Sequence, residues 1–244
     1  MGSMIERAST FAADIDSVIM LIAVLGGFWF LVAQGILFYF MIRYRRSKNP
    51  TAGYIAGEKH EETKWVHWPH YAVIVCDIII IGFAVKVWYD VKQTLPPPDS
   101  TIRVVGQQWA WKFHHPGPDN QLGTEDDIVT VDELHVAVNK TYHFKLESDD
   151  VLHSFSVPVF RLKQDAVPGR VITGWFKPTK TGEFDVQCAE MCGIAHGAMA
   201  ARIFIQSEED HHAWIQGQRP HHVQSQINDN DKSEQNSKEG AEAI

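Results

Sequence analysis

The chain has 244 residues, long enough for one or two domains with a sizeable core. Its 22 Lys plus Arg against 30 Asp plus Glu leave a formal net charge of -8, which argues against general nucleic-acid binding and favours a basic partner. Three cysteines, Cys76, Cys188 and Cys192, exclude a disulfide framework, and the mean hydropathy of -0.18 averages a strongly apolar first third with a polar remainder.

Residues 18–42 read VIMLIAVLGGFWFLVAQGILFYFMI, with no charge and Gln34 as the one polar side chain. A helix of that length crosses roughly 30 Å of hydrocarbon with some tilt. A signal peptide would have an apolar region of about 7 to 15 residues after positive charge, whereas Glu6, Arg7 and Asp14 precede this run. Residues 1–17 are thus read as an N-terminal stretch and 18–42 as a first transmembrane helix. The second apolar run, 71–89, is interrupted by Asp77 and Lys86. Lys86 is close enough to the end to snorkel, and Asp77 is expected to face protein, as a polar contact with another subunit rather than a proton path. Between the runs, Arg43, Arg45, Arg46, Lys48, Lys59 and Lys64 outnumber Glu58, Glu61 and Glu62, and the N-terminus offers only Arg7. The positive-inside rule puts the 43–70 loop in the cytoplasm and both termini outside, which in a bacterium is the periplasm.

Residues 90–100 form a stiff linker containing LPPPDS. Short β-branched or alternating runs follow at 101–105, 109–113, 128–131, 134–138, 141–147, 151–157, 170–176, 183–187 and 199–205. Separated by turn signals, they predict an antiparallel all-β sandwich or barrel over 101–217. Trp109, Trp111 and Phe113 share one face only if their strand is regular. The tail, 218–244, is polar and nearly free of aromatics and is expected to be disordered.

The segment VQCAEMCGIAHGAMA, 186–200, places Cys188, Cys192, His196 and Met199 at spacings of four, four and three. Thiolate, imidazole and thioether together are the soft set that selects copper. A blue-copper site uses one Cys, two His and a weak Met in a β-sandwich, and this loop adds a second thiolate. Two thiolates can bridge two copper ions, each then needing one imidazole and one weaker ligand. The second imidazole must come from elsewhere, and His153 in DVLHSFSVP, 150–158, is the candidate. A zinc knuckle or a disulfide would explain a bare C-x3-C, but neither accounts for His196, Met199 and His153 together.

These residues resemble subunit II of cytochrome c oxidase in its two-helix form, over the chain from the first span to about Gln216. GQQWAWKF at 106–113, DVLHSFSVP, LKQDAVPGR at 162–170 and CAEMCGIAHGAM at 188–199 occur in the family's order. The resemblance implies two N-terminal transmembrane helices in a hairpin followed by an all-β cupredoxin-like Greek-key sandwich. It further implies that Cys188 and Cys192 bridge two coppers (the CuA centre), with His153 and His196 as terminal ligands. Met199 and the backbone carbonyl of Glu190 would be the weak ligands, and the Glu190 carboxylate would reach a magnesium or manganese ion shared with subunit I. Trp109 is similar to the tryptophan through which electrons enter from cytochrome c, and Asp165 to a docking carboxylate. Glu62, Trp65 and Pro69 resemble a segment whose Glu lies at the mouth of a proton channel in subunit I. The sequence departs from the family's pattern at three places, with Phe155 where Trp commonly follows His-Ser, Ala110 between the two tryptophans and Val66 where Thr is usual, and none of them is a copper ligand.

The implied function is to pass electrons from cytochrome c, soluble or membrane-bound, to haem in subunit I, where oxygen becomes water and protons are pumped. The haems and the second copper centre (CuB) would belong to subunit I, and further oxidase subunits and the lipid bilayer would be partners. The alternatives are subunit II of a copper-containing nitric oxide reductase and a membrane-anchored copper chaperone, which would need a thioredoxin-like frame. Quinol oxidase subunit II lacks the copper ligands. The adjacent pairs His114 with His115, His211 with His212 and His221 with His222 are expected to be solvated or hydrogen-bonded. Cys76 is expected to be span filler, and Glu125, Asp126 and Asp127 a solvated loop.

Overall fold

The computed structural model describes residues 5–51 and 53–218, so the expectations for most of the tail and for His221 and His222 lie outside the described residues. Two compact units result, one of them Ala13–Thr94. Within it, α1 (Ala12–Arg43) contains the uncharged run, and α2 (His60–Trp88) contains the second and continues as a π-helical turn, Tyr89–Gln93. Both are long and apolar enough to cross a membrane. Residues 60–70, expected in a loop, are helical, and Pro69 is inside α2. Hydropathy reports the solvent a residue prefers, whereas this turn of helix is set by backbone bonding and by Glu61 and Glu62, whose charges suit a helix N-terminus. Cys76 does more than fill space, because the Trp29 indole N–H donates to its sulfur at 3.4 Å.

The other unit is a sandwich of two five-stranded sheets. Its strands are β1 (Ser100–Gln107), β2 (Ala110–His115), β3 (Ile128–Val131), β4 (Glu133–Ala137) and β5 (Tyr142–Ser148), then β6 (His153–Val157), β7 (Leu162–Ala166), β8 (Ile172–Phe176), β9 (Gly182–Cys188) and β10 (Ala200–Gln206). The first sheet has the order β3-β2-β1-β5-β8 and the second β4-β10-β9-β6-β7. The antiparallel expectation needs correction: β1 pairs with β5, and β10 with β4, in parallel. In a sandwich each of these pairs joins strands from distant parts of the chain, so no hairpin signal marks it. The unanticipated β7 carries Lys163, Gln164 and Asp165 at a sheet edge, where polar side chains meet water. A further helix, α3 (Glu208–Gly217), follows β10, and Ser207 caps it by accepting from the Asp210 N–H.

Alternating burial on β2 and β10 turns one side of each sheet inward. The core is aromatic: Phe155 packs edge-on against Trp111 at 5.5 Å, Phe144 at 5.8 Å and Phe113 at 6.3 Å between ring centroids. Trp109 does not share that face. It lies in the turn before β2 and is 38% exposed, while Trp111 and Phe113 are fully buried.

The stretch ahead of α1 belongs to the sandwich unit. Ala8 N–H donates to Val159 O, Thr179 N–H to Ala8 O, and Ser9 Oγ to Phe160 O. Phe11 packs on Trp175, Lys180 pairs with Glu6, and the Arg161 guanidinium donates to the carbonyls of Ile5 and Glu6. Arg161 itself takes φ 58, a left-handed position where it ends the short helical turn Pro158–Phe160. Residues 5–12 and 95–218 are therefore parts of one folded body.

Candidate metal centre

β6 and β9 are neighbours, with Phe155 opposite Cys188. That register brings His153, fully buried at the start of β6, to the end of β9 where Cys188 sits. β9 and β10 pair as far as Gln187 with Ala200, and the ten residues between Cys188 and Met199 bulge out as a loop anchored at both ends. Ala189 N–H donates to Ser154 O, Cys188 N–H to Met199 O, and a short helical turn, His196–Ala198, directs His196 inward.

The donor atoms converge. The Cys188 and Cys192 sulfurs are 3.8 Å apart, His153 Nδ1 is 3.8 Å from Cys188 Sγ, and His196 Nδ1 is 3.6 Å from Cys192 Sγ. Met199 Sδ is 3.7 Å from Cys192 Sγ, and the Glu190 carbonyl oxygen 3.3 Å from Cys188 Sγ. His153, Cys188 and Cys192 are buried with ligand atoms within 4.8 Å of one another. Two adjacent sulfurs, each flanked by an imidazole nitrogen and a weaker donor, fit two soft metal ions better than one. The cysteines are free thiols. Burial, reinforced by the neighbouring Cys188, pushes the Cys192 thiol up to about 11, so metal must displace protons to bind.

The polar groups around these donors were missed by the sequence reading, with one signal available: an aspartate three residues before His153. Asp150 Oδ1 accepts from His153 Nε2 at 2.8 Å, which leaves Nδ1 as the free lone pair facing the sulfurs. Burial opposes the Asp150 charge, but hydrogen bonds from His153 and from the Gln108 and Val151 N–H groups outweigh it and lower its pKa. Asp150→Ala is expected to weaken metal retention about tenfold to a hundredfold. Competition with a chelator measures this, and unchanged retention would remove the residue from the role.

Trp109 and the loop are in contact. Gln108 Nε2 donates to Cys192 O at 2.7 Å, and a Cβ on Gly193 would meet the Trp109 indole at 3.2 Å. Gly193, at φ 127, is therefore the residue that admits both the turn and the ring. Asp165, on β7, accepts from the buried Ser154 hydroxyl at 2.8 Å and from Lys163 at 3.4 Å, with the side chain half exposed. Glu62 lies far along the sequence on α2, where it accepts from Gly57 N–H at 3.0 Å.

A two-sheet sandwich presenting paired cysteines, two imidazoles and a thioether defines a cupredoxin-like domain, here on a chain with two membrane-type helices. The frame is not thioredoxin-like, which overturns the chaperone alternative. Residues 100–207 match the family described as cytochrome c oxidase subunit II, periplasmic domain. An alternative cytochrome c oxidase subunit 2 from Bradyrhizobium diazoefficiens is 33% identical over 227 residues, covering 84% of this chain and 80% of that protein. A cytochrome c oxidase subunit 2 from Thermostichus vulcanus is 32% identical, covering 87% of this chain and 77% of that one. The crystallised periplasmic domain of subunit II from Bradyrhizobium japonicum is 34% identical, covering 50% of this chain and 95% of that one, with a TM-score of 0.45. The chain belongs to the cytochrome c oxidase subunit II family. Membership makes it a subunit of a cytochrome c oxidase, an oxidoreductase, with subunit I as partner, and implies a copper centre.

Proposed function

We propose that this chain is the subunit through which electrons enter its oxidase, from cytochrome c to a binuclear copper centre and onward to haem in subunit I, where oxygen is reduced to water with proton pumping. The observation that carries the reading is the pair of buried cysteines flanked on each side by an imidazole, with the half-exposed Trp109 against the same loop. The Cys188 and Cys192 thiolates would hold the two copper ions, which would supply one-electron transfer.

The chain's own residues supply the holder. His153 and His196 would be terminal ligands, with Met199 and the Glu190 carbonyl as weak ones. Strands β6, β9 and β10 fix these groups, the aromatic core beneath excludes water, and Asp150 orients His153. The Glu190 carboxylate is assigned to a magnesium or manganese ion at the subunit I junction. Trp109 is assigned to donor contact and Asp165 to docking, and the negative charge of the chain suits a basic cytochrome whose binding salt would weaken. Glu62 is assigned to the mouth of a proton channel in subunit I.

We place residues 18–42 and 71–89 across a bacterial inner membrane, 43–70 towards the cytoplasm, and the 101–217 domain in the periplasm. The basic residues between the helices support this orientation, as does the packing of the Ile5 to Ala12 stretch on the sandwich. Trp109→Gln in the assembled oxidase tests the electron route. An aromatic docking anchor is worth about 2 kcal/mol, so reduction by sub-saturating cytochrome c should slow about thirtyfold while copper content stays unchanged. Unaltered kinetics would overturn the assignment.

A further inference from the structure

Beyond the metal loop, the sandwich holds a second histidine cluster that the electron route does not use. α3 lies against β4 and β10 and inserts Trp214 among imidazoles from three elements. His135 of β4 stacks on the indole at 4.2 Å and on Phe204 at 4.7 Å from its other side. His115 of β2 meets the indole edge-on at 5.1 Å, and His211 of α3 packs against it at 5.8 Å. His115, expected to be solvated or hydrogen-bonded, is 2% exposed and shares a hydrogen bond with Thr130. A cavity of about 720 Å³ adjoins the cluster, walled by Ile102, Pro116 and Tyr142 on one side and by Glu208, His211 and Ile215 of α3 on the other.

We propose that α3 is an acid-released latch: uncharged imidazoles clamp Trp214, and proton uptake by the cluster undocks the helix and opens the adjoining cavity. At His211 the geometry gives an added proton no acceptor. His211 Nε2 is buried without a hydrogen-bond partner among the described residues, so a charged N–H there would face no acceptor. The groups around the cluster offset burial only in part: backbone hydrogen bonds at Glu133 and His135 favour the charged forms of His115 and His211, and the Glu133 and Gln206 side chains that of His135. Glu133 of β4 is 3.7 Å from His135 Nε2 but is itself more than half exposed. Gln206 of β10 is neutral, and Glu208 is engaged by Lys140 at 2.7 Å. Lys140, His212 and His114 add like charge when protonated, and Asp99 and Glu209 lie on the cavity wall.

Burial first, and the neighbouring imidazoles second, hold His115 down to about 3, and burial holds His211 down to about 4 and His135 below its usual value. An undocked histidine titrates near 6.5. Docking is therefore complete above about pH 6.5 and weakens as pH falls towards the folded values, tenfold per pH unit for each proton taken up. His211 alone shifts the equilibrium about 300-fold over its range. The latch does not depend on the electron-transfer reading. Only its physiological trigger, acidification outside the membrane, rests on the orientation proposed above.

The test is fluorine NMR of the full chain in detergent with 5-fluorotryptophan. Trp214→Phe and Trp111→Phe identify the latch signal and a core signal. From about pH 7.5 to about pH 4.5 the Trp214 signal should move towards that of a solvated indole while Trp111 holds still. In His211→Gln the movement should come at lower pH and be less steep by about one proton. If that variant loses the native Trp111 signal, His135→Phe, which keeps the stack on Phe204, takes its place. A Trp214 signal that does not move, that moves together with Trp111, or that moves identically in the variant would overturn the latch.

Discussion

Cys192→Ser is expected to abolish the two-copper signal and to lower cytochrome c oxidation by the assembled enzyme by about a hundredfold or more, beyond the loss typical of groups that merely support ligands. Cys192 is the hub of the donor set: its sulfur touches Cys188, His196 and Met199 at 3.6 to 3.8 Å, and its carbonyl is held by Gln108. A serine oxygen is hard, short and protonated at working pH, so it cannot bridge soft metal ions. The fold should survive, since the loop's backbone anchors at Ala189 and Met199 do not involve the sulfur. Copper per chain and the electron paramagnetic resonance spectrum provide the measurement. Two coppers with an unchanged spectrum would remove the bridging role.

Phe155→Ala should cost about 4 kcal/mol, in the range for deleting a fully buried phenylalanine. At roughly 4 °C per kcal/mol for a domain of this size, Tm falls by about 15 °C. Phe155 is fully buried, its ring contacts Trp111, Phe113 and Phe144, and its backbone pairs with Cys188. The cavity would open beneath the metal loop, because Trp111 also packs on His153 at 6.0 Å. Stability and metal retention should therefore fall together. Thermal unfolding of the full chain, with copper content measured alongside, reads both, and a loss under about 1 kcal/mol would contradict this packing.

The polarity of β7 hides it from any apolar pattern, because an edge strand needs only one buried face, and Leu162 and Ala166 supply it four residues apart in a run that otherwise meets water. α3 is hidden for a similar reason: its acidic first turn and paired histidines read as solvated, yet Trp214 is inserted among imidazoles from β2 and β4. Asp150 was in plain view within DVLHSFSVP, but nothing local says that its carboxylate turns back to His153 rather than out to a partner.

The sequence by itself determined the two apolar helices, the strand-rich remainder and the candidate donor residues, because hydropathy and metal-donor chemistry are properties of residue types at short spacings. Tertiary structure alone decided the parallel pairings of β1 with β5 and β4 with β10, the anchoring of the Ile5 to Ala12 stretch on the sandwich, the buried imidazole cluster and the partner of His153 Nε2. Most of these contacts join residues far apart in the chain, and the His153 contact depends on how its local turn closes. Their energies exist only once the two sheets have closed and water has left the space between them.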